Sequence, residues 1–574
     1  MSQTKCNTST LPMKLSFFFY LGGMAPLVIF IPTIARQLGY SMATYGTAMT
    51  CATLISMIGS PIIGRIVDKY PVKKLFFLTA ALACGICGFL IMFVPKLPYE
   101  TNSELVCGNE TYLKVFSKTN EQSSCEDNTF LNPKTDEVIH CKLNCQKNPF
   151  EGCNNCTREK DTIDYLSITT EDNRLIDIST QVHFSEHVEN IYKFQVLTAQ
   201  IDDIPISSLS CQNSVKTSCQ LNCSDNFVAE LASSPAFEGS VYKLYQFWWL
   251  LQSLIILFFF SQSTGMLQNA ICLDLLGDKH EDFGKNKCWS SVGWGISSIA
   301  SGWLVDYFSP DPKNKNYTPV FGISLLSAIC HFIVAQKIKI VETTVSKDWK
   351  PKVQHTIYGL FRKGYVVSFF VWMVVMQFFH SIIIHFLFWY LDEMVDHDCS
   401  KRQWIKTLQG ITQGVQCFGG ELPFYFWAGW IIQKLGYLNC MALSLGVMSV
   451  RMFLYSVISN PAWVILIEVS NGISYALAVA TKMSYAKLIC PPNELNSLVG
   501  FVGFVIVGGD SLGSFIGGFV YEAYGGAGMF KYCSYVSGFM CLLQVLCNIF
   551  GVSKELKNKD FTPVSTQNAI DAKL

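Results

Sequence analysis

Glu421, Arg451 and Glu468 are ionisable residues set inside long apolar runs. On insertion scales such a group costs at least about 2.5–3.5 kcal/mol at the centre of a bilayer, so each needs a partner or an aqueous cavity. Asn460-Pro461 marks a turn, with Arg451 nine residues before Asn460 and Glu468 eight after it. At 1.5 Å per residue both sit about 12–14 Å below that turn, and they can pair. Glu421 lies fifteen residues before the opposite turn at Gly436 and Arg451 fifteen after it, so the three charges share one depth. Two carboxylates beside one guanidinium leave a surplus negative charge, which favours proton uptake by one of them. Gly419-Gly420 and Pro423 should break the helix beside Glu421, where the backbone can move, so the mobile proton is assigned there.

Other polar groups line up with these. Glu468, Asn471, Tyr475 and Lys482 fall on one helical face, and Gln409, Gln413 and Gln416 form a second stripe. His380 and His385 are either proton acceptors or packing histidines, and Asp510 stands alone in a Gly-rich run. The first half of the chain is sparser, with Gln268, Asn269, Asp274, Lys287 and Trp294. Trp294 either stacks on a ligand or packs between helices. The bland reading of Arg451 and Glu468 is a fixed structural ion pair. No catalytic constellation, cofactor motif or metal-ligand set stands out, and no P-loop is present, so neither an enzyme nor an ATP-driven pump is expected.

The elements that carry these residues are membrane helices. Half of the 574 residues are apolar and only 15% are charged, against roughly 25% in soluble domains. The 43 basic and 43 acidic side chains balance, which argues against nucleic acid as a partner. Twelve runs are long enough for a bilayer core of about 30 Å: 15–35, 42–64, 75–95, 245–273, 288–305, 319–336, 364–391, 407–432, 437–458, 461–486, 497–521 and 530–551. The first run follows Lys14 and lacks a small-residue cleavage site, so it is kept as an anchor. Lys and Arg concentrate in 65–74, 279–287 and 337–363, which places both termini in the cytosol.

The expected layout is therefore all-α. A cytosolic N terminus (1–14) leads into spans one to three (15–95), a cysteine-rich outer loop (96–243) and spans four to six (244–336). A basic cytosolic linker (337–363), spans seven to twelve (364–551) and a cytosolic tail (552–574) follow. The outer loop carries Cys107, Cys125, Cys141, Cys145, Cys153, Cys156, Cys211, Cys219 and Cys223. Nine is odd, and Cys399 in a later outer loop would bring the count to ten. Sequons at Asn109, Asn155, Asn222 and Asn316 fall on the same side, which is oxidising and open to glycosylation. A segment this polar is expected to have little core of its own and to depend on disulfide staples, with connectivity left open. A zinc module built from the 141/145 and 153/156 pairs is the lesser alternative.

Gly64 and Asp68 close span two, Gly429 closes span eight, and Gly302 four before Asp306 and Gly518 four before Glu522 close spans five and eleven. One pattern thus ends the second helix of every three-helix unit. At these residues the chain resembles the major facilitator superfamily, whose inner loop motif is G-x-x-x-D-[RK]-x-G-[RK]. Gly64, Asp68 and Lys69 match it, with Pro71 in place of the second Gly. The resemblance implies two six-helix halves that rock about a central site, with Asp68 as a gating residue. The run Glu281 to Trp294, with Gly420-Glu421-Leu422-Pro423 and Met448-Ser449-Val450-Arg451, is similar to the lactose permease and nucleoside–proton symporter branch. Within that branch, the cysteine-rich loop and Leu275-Leu276-Gly277-Asp278-Lys279 look most like the animal macrophage MHC receptor homologues, the group called major facilitator superfamily domain-containing protein six. In the lactose permease pattern a span-four acid pairs with a span-five cation beside a Trp. Lys287 and Trp294 fall into place, and Asn269 stands where the acid would be.

Two functions of different class are expected from this pattern. The first is a proton-coupled secondary transporter of a small polar solute, acting as a monomer in the plasma membrane. The second is a surface receptor whose 96–243 loop binds a protein ligand without transport.

Overall fold

The structure is a computed structural model. It describes residues 11–70, 72–97, 103–108, 110–116, 138–145, 176–188, 191–201, 204–205, 211, 214–223, 240–276, 283–310, 312, 314–338, 340, 364–396, 398–489 and 495–549. The described residues of the twelve apolar runs fall mostly on helical chain. In the first half these are α1 (Leu11–Gln37), α2 (Met42–Lys69), α3 (Lys73–Leu90, continued by a 3-10 turn), α4 (Tyr245–Leu276), α5 (Phe283–Tyr307) and α6 (Thr318–Gln336). The second half begins with α7 (Gly364–Met394) and a short helix, Cys399–Gln403. Next come α8 (405–435), α9 (Tyr437–Val457) and α10 (461–489).

One unbroken helical stretch, Leu495–Cys547, ends the bundle, but Gly525 within it has φ +69 and ψ 172. At 1.5 Å per residue such a stretch would run about 80 Å, more than twice a bilayer core. Gly525 adopts the left-handed turn without a Cβ penalty and divides it into α11 (495–524) and α12 (526–547). By length and apolar composition alone, seven helices among the described residues can cross a membrane, and the bent α10 pair makes an eighth. That count takes the α11–α12 stretch as one helix.

Two rods are not regular. In α8 a π-helical segment, Gln416–Glu421, joins the helices Ile405–Val415 and Leu422–Leu435. Pro423 follows at once, and its missing N–H removes the bond that a regular turn would make there. In α10 the helix Val464–Glu468 gives way to a π segment, Gly472–Leu477, and the parts on either side differ in direction by 42°. Beside Glu421, where the sequence predicts a break, the helix instead runs on through the π segment with helical φ and ψ at Glu421 and Leu422, and the bend lies opposite it in α10. Within each half, α1 packs on α5 and α6, and α7 on α11; between halves, α2 packs on α11, α5 on α8 and α1 on α7.

The insertion between α3 and α4, to which the sequence reading gave no regular structure, is a β domain. Its seven strands run antiparallel in the order β2-β1-β7-β3-β4-β5-β6: β1 Ser103–Cys107, β2 Tyr112–Phe116, β3 Ile139–Cys145, β4 Ile176–Val188, β5 Ile191–Ile201, β6 Ile204–Pro205 and β7 Val215–Cys223. β2 also pairs with β5, so six of the strands close into a ring. Closure leaves few free edges. Leu105, Leu113, Val115, Leu143, Ile178, Val182 and Phe194 fill the interior. The expectation of a segment without its own core is therefore corrected: alternating residues of β3 point inward, and closing the sheet buries them together.

Disulfides join Cys107 to Cys211, Cys141 to Cys223 and Cys145 to Cys219. The last two pairs face each other directly across β3 and β7. These bonds overturn the zinc alternative, because Cys141 and Cys145 have no free thiolate to ligate a metal. Cys125, Cys153, Cys156, Asn109 and Asn155, and the side chains of Cys399 and Asn222, lie outside the described residues.

Candidate functional site

The three charges that share one depth in the sequence meet between α8, α9 and α10. Arg451 is 1% exposed and Glu468 0% exposed, and the two form an ion pair. Tyr455, one turn along α9, accepts from Arg451 Nε at 2.7 Å and donates to the other Glu468 oxygen. Arg451 also donates to Asn471 Oδ1 at 2.7 Å and to Ser474 Oγ at 3.2 Å. The guanidinium is thereby committed, with partners at every nitrogen. Glu421 is not one of them. Its Oε1 accepts from Asn471 Nδ2 at 3.3 Å, and its Oε2 accepts from Ser291 Oγ at 3.0 Å on α5 of the first half. A carboxylate that is 8% exposed is therefore held by two neutral donors, one from each half.

Small residues at the π segments bring these rods together. A Cβ on Gly420 would lie 3.1 Å from the Gly472 nitrogen, and one on Gly472 would lie 2.1 Å from the Phe424 ring. Between halves, Trp294 Nε1 donates to Gln413 Oε1 at 3.0 Å, so the tryptophan expected at the site is tied to the glutamine stripe. Gln409 donates instead to Asp392 at 2.8 Å and to the Phe388 carbonyl at 3.0 Å, away from the charged cluster. Gln416 is buried at the start of the π segment. The His380 ring stacks on Tyr475 with centroids 4.3 Å apart, and its Nδ1 is buried without a partner among the described residues. His385 Nδ1 lies 3.1 Å from the Tyr45 hydroxyl of α2, a contact between halves.

A profile of the MFS_1 like family matches residues 10–532. The chain belongs to this family of the major facilitator superfamily. Similar solved structures include the nucleoside transporter NupG, 12% identical, covering 95% of this chain and 100% of that one with a TM-score of 0.56. They also include a D-xylose-proton symporter, 11% identical, covering 95% and 97% with a TM-score of 0.54, and a peptide transporter, POT, 9% identical, covering 94% and 93% with a TM-score of 0.51. At these identities the likeness is one of fold. The protein is thus a multi-pass membrane protein of a transporter family.

Two of the repeated Gly and acid pairs close one end of this facilitator fold. Asp306, ending α5, accepts at Oδ2 from the Thr407 backbone N–H at 2.6 Å and the Thr407 hydroxyl at 2.8 Å, and at Oδ1 from Lys315 at 2.8 Å. Glu522, ending α11, accepts from the Ala43 backbone N–H at 3.1 Å. Each acid thus meets the first turn of a helix in the opposite half, where free N–H groups and the helix dipole favour negative charge. The partner glycines let the helices touch: a Cβ on Gly302 would lie 2.2 Å from the Lys406 carbonyl, and one on Gly518 2.8 Å from the Met42 carbonyl. Arg36 with Asp396, and Gln37 with the Lys315 carbonyl, add contacts at the same end. Gly429 has no heavy atom within 4 Å of where its Cβ would stand.

Some expected residues are not drawn in. Asn269 is half-buried on α4 and makes no hydrogen bond to the cluster, while its neighbour Gln268 donates to Ser16 at 2.9 Å. Lys287 is exposed at the start of α5. Asp510 is half-buried on α11, and its carboxylate forms no ion pair among the described residues. Asn316 is exposed before α6. The side chains of Gly64, Asp68 and Lys69 fall outside the described residues. Ser291, Tyr455 and Ser474 belong to the cluster and escaped the sequence reading. A hydroxyl in a membrane helix carries no signal of its own, although Tyr455 lies four residues after Arg451 on one helical face.

Proposed function

We propose that the protein is a proton-coupled secondary transporter, carrying a small polar solute by alternating access between its two halves. The observation that carries this reading is Glu421: a buried carboxylate beside a helix irregularity, bonded to Ser291 of one half and Asn471 of the other, with no ion-pair partner among the described residues. An uncompensated charge at that depth is costly unless it is protonated or solvated. Movement of the halves would pull Ser291 away and change the price of that charge. In this reading Glu421 takes the proton, and Arg451 with Glu468 stays a fixed pair. With the termini in the cytosol, the end closed by Asp306 and Glu522 would face outward. Asp68 then serves to close the opposite face.

The experiment is uptake into cells or proteoliposomes at two pH values, beginning with nucleosides and sugars. Those are what two structural neighbours are named for carrying. Glu421→Gln is expected to exchange solute across the membrane while losing pH-driven accumulation. A Glu421→Gln protein that still concentrates its solute in response to pH would move the coupling to Asp510 or Glu468. A second reading, a receptor for a protein ligand, draws support from the insertion, which has its own core and three internal disulfides among its described residues.

A further inference from the structure

Among the described residues of the second half, Lys406, Arg451 and Lys482 are buried cations; Lys406 pairs with Asp392 and Arg451 with Glu468. Lys482, 6% exposed, makes no ion pair and no hydrogen bond among the described residues, and its surroundings act on it by burial alone. It lies on α10 fourteen residues after Glu468 and seven before Ile489, about 10 Å short of the end of the rod. Ala478 and Ala486, one turn to either side, belong to the buried apolar cluster that also takes in Phe369 and Met373 of α7 and Val502 and Val505 of α11. Tyr485, one turn on, packs against Phe369 with ring centroids 5.0 Å apart. The lysine therefore points into the bundle rather than to lipid. The acids near it in sequence and depth are engaged elsewhere: Glu468 with Arg451, Glu421 with Ser291 and Asn471, and half-buried Asp510 within electrostatic reach of His385 and Tyr475.

The polar face of α10 leads from Lys482 back to the three-charge cluster. Tyr475, two turns before the lysine, stacks on His380 of α7, and that ring is within electrostatic reach of both Lys482 and Arg451. A buried ammonium without a counter-ion is costly, and an anion beside it removes the penalty. Coupling gives that anion a reason to be there. With Glu421 ionised and Lys482 protonated, the two buried unpaired charges balance. A proton on Glu421 alone leaves one positive charge in excess, and an anion on Lys482 alone leaves one negative charge. Only the two together restore neutrality. Net charge is costly in a low-dielectric interior, so the empty and the doubly loaded forms are the ones in which the halves move most easily. One ammonium balances one negative charge, which fits a carboxylate rather than a phosphate dianion.

We propose that Lys482 binds a carboxylate group of the transported solute, which sets that solute apart from neutral sugars and nucleosides. The assignment rests on the transporter reading, with Glu421 as the proton carrier. The test reads binding without transport. Purified full-length protein in detergent is followed by thermal unfolding in constant sodium chloride, titrated with glycolate and benzoate and with their neutral amides, glycolamide and benzamide. At least one carboxylate should raise the unfolding midpoint while its amide does not. Lys482→Met should weaken that response by about tenfold or more, the size of one hydrogen bond to a charged group, and Lys482→Arg should retain it. Lys434→Met, which removes an exposed lysine near the end of α8, should leave it unchanged. Each variant is checked for a monodisperse elution profile, and Lys482→Gln takes the place of Lys482→Met if that protein does not fold. No shift with either carboxylate, an equal shift with the amides or with added chloride, or a shift unchanged in Lys482→Met would overturn the proposal. Carboxylate binding that depends on Lys482, in a protein that never accumulates solute in response to pH, would sink the transport reading and leave the anion site standing.

Discussion

Arg451 reaches Glu421 only through Asn471, which accepts from the guanidinium at 2.7 Å and donates to the carboxylate at 3.3 Å. The arginine therefore neutralises Glu468 directly and Glu421 only at one remove. This division separates two roles that the shared depth of the three charges leaves merged: a fixed pair that joins α9 and α10, and a carboxylate to which we assign the proton as a proposal.

The fixed pair should be needed for folding. Arg451→Ala leaves Glu468 buried without its cation and is expected to cost about 3–5 kcal/mol, whereas Arg451→Met with Glu468→Leu should recover most of that loss. Thermal unfolding of the purified variants measures both. A single Arg451→Ala protein as stable as the parent would remove the pair from the structural account.

Closure at the Asp306 end should depend on its glycines. Gly302→Leu drives a side chain into the Lys406 carbonyl, so that end should stand open. Membrane-impermeant maleimide applied outside should then label a cysteine introduced at Ser298, a residue that is buried here. Equal labelling with and without Gly302→Leu would mean that α5 and α8 do not form the outer seal.

The two acids at that end should contribute unequally. Asp306 is bonded to Lys315 and twice to Thr407, while Glu522 makes one exposed bond to Ala43. Asp306→Ala should therefore raise outside labelling of the same reporter more than Glu522→Ala. The reverse order would show that the α2 and α11 contact governs closure.

In the insertion, mass mapping of non-reduced peptides should recover the links 107–211, 141–223 and 145–219. Removing Cys145 and Cys219 together should lower the unfolding free energy of the domain by about 2–4 kcal/mol. Different links in native material would contradict the register of β3 against β7.

Replacing 97–243 by a short linker separates the two functional readings. Solute uptake should survive in a protein that still reaches the surface. Loss of uptake and of partner binding, with folding of the core verified, would favour the receptor.

The sequence by itself determined where the apolar runs lie and which charges inside them needed partners. Both follow from local rules, since a span is a contiguous stretch and a depth is a residue count multiplied by a fixed rise. Arg451 and Glu468 were legible as a pair for that reason. Only the tertiary structure decided that Glu421 answers to Ser291 and Asn471 rather than to the arginine. That outcome depends on how two π segments rotate their side chains and on how closely Gly420 lets α10 approach. The insertion shows the same limit: its cysteines were countable from the sequence, but their pairing and the closed sheet rest on contacts between residues 74 to 104 positions apart, which no local pattern encodes.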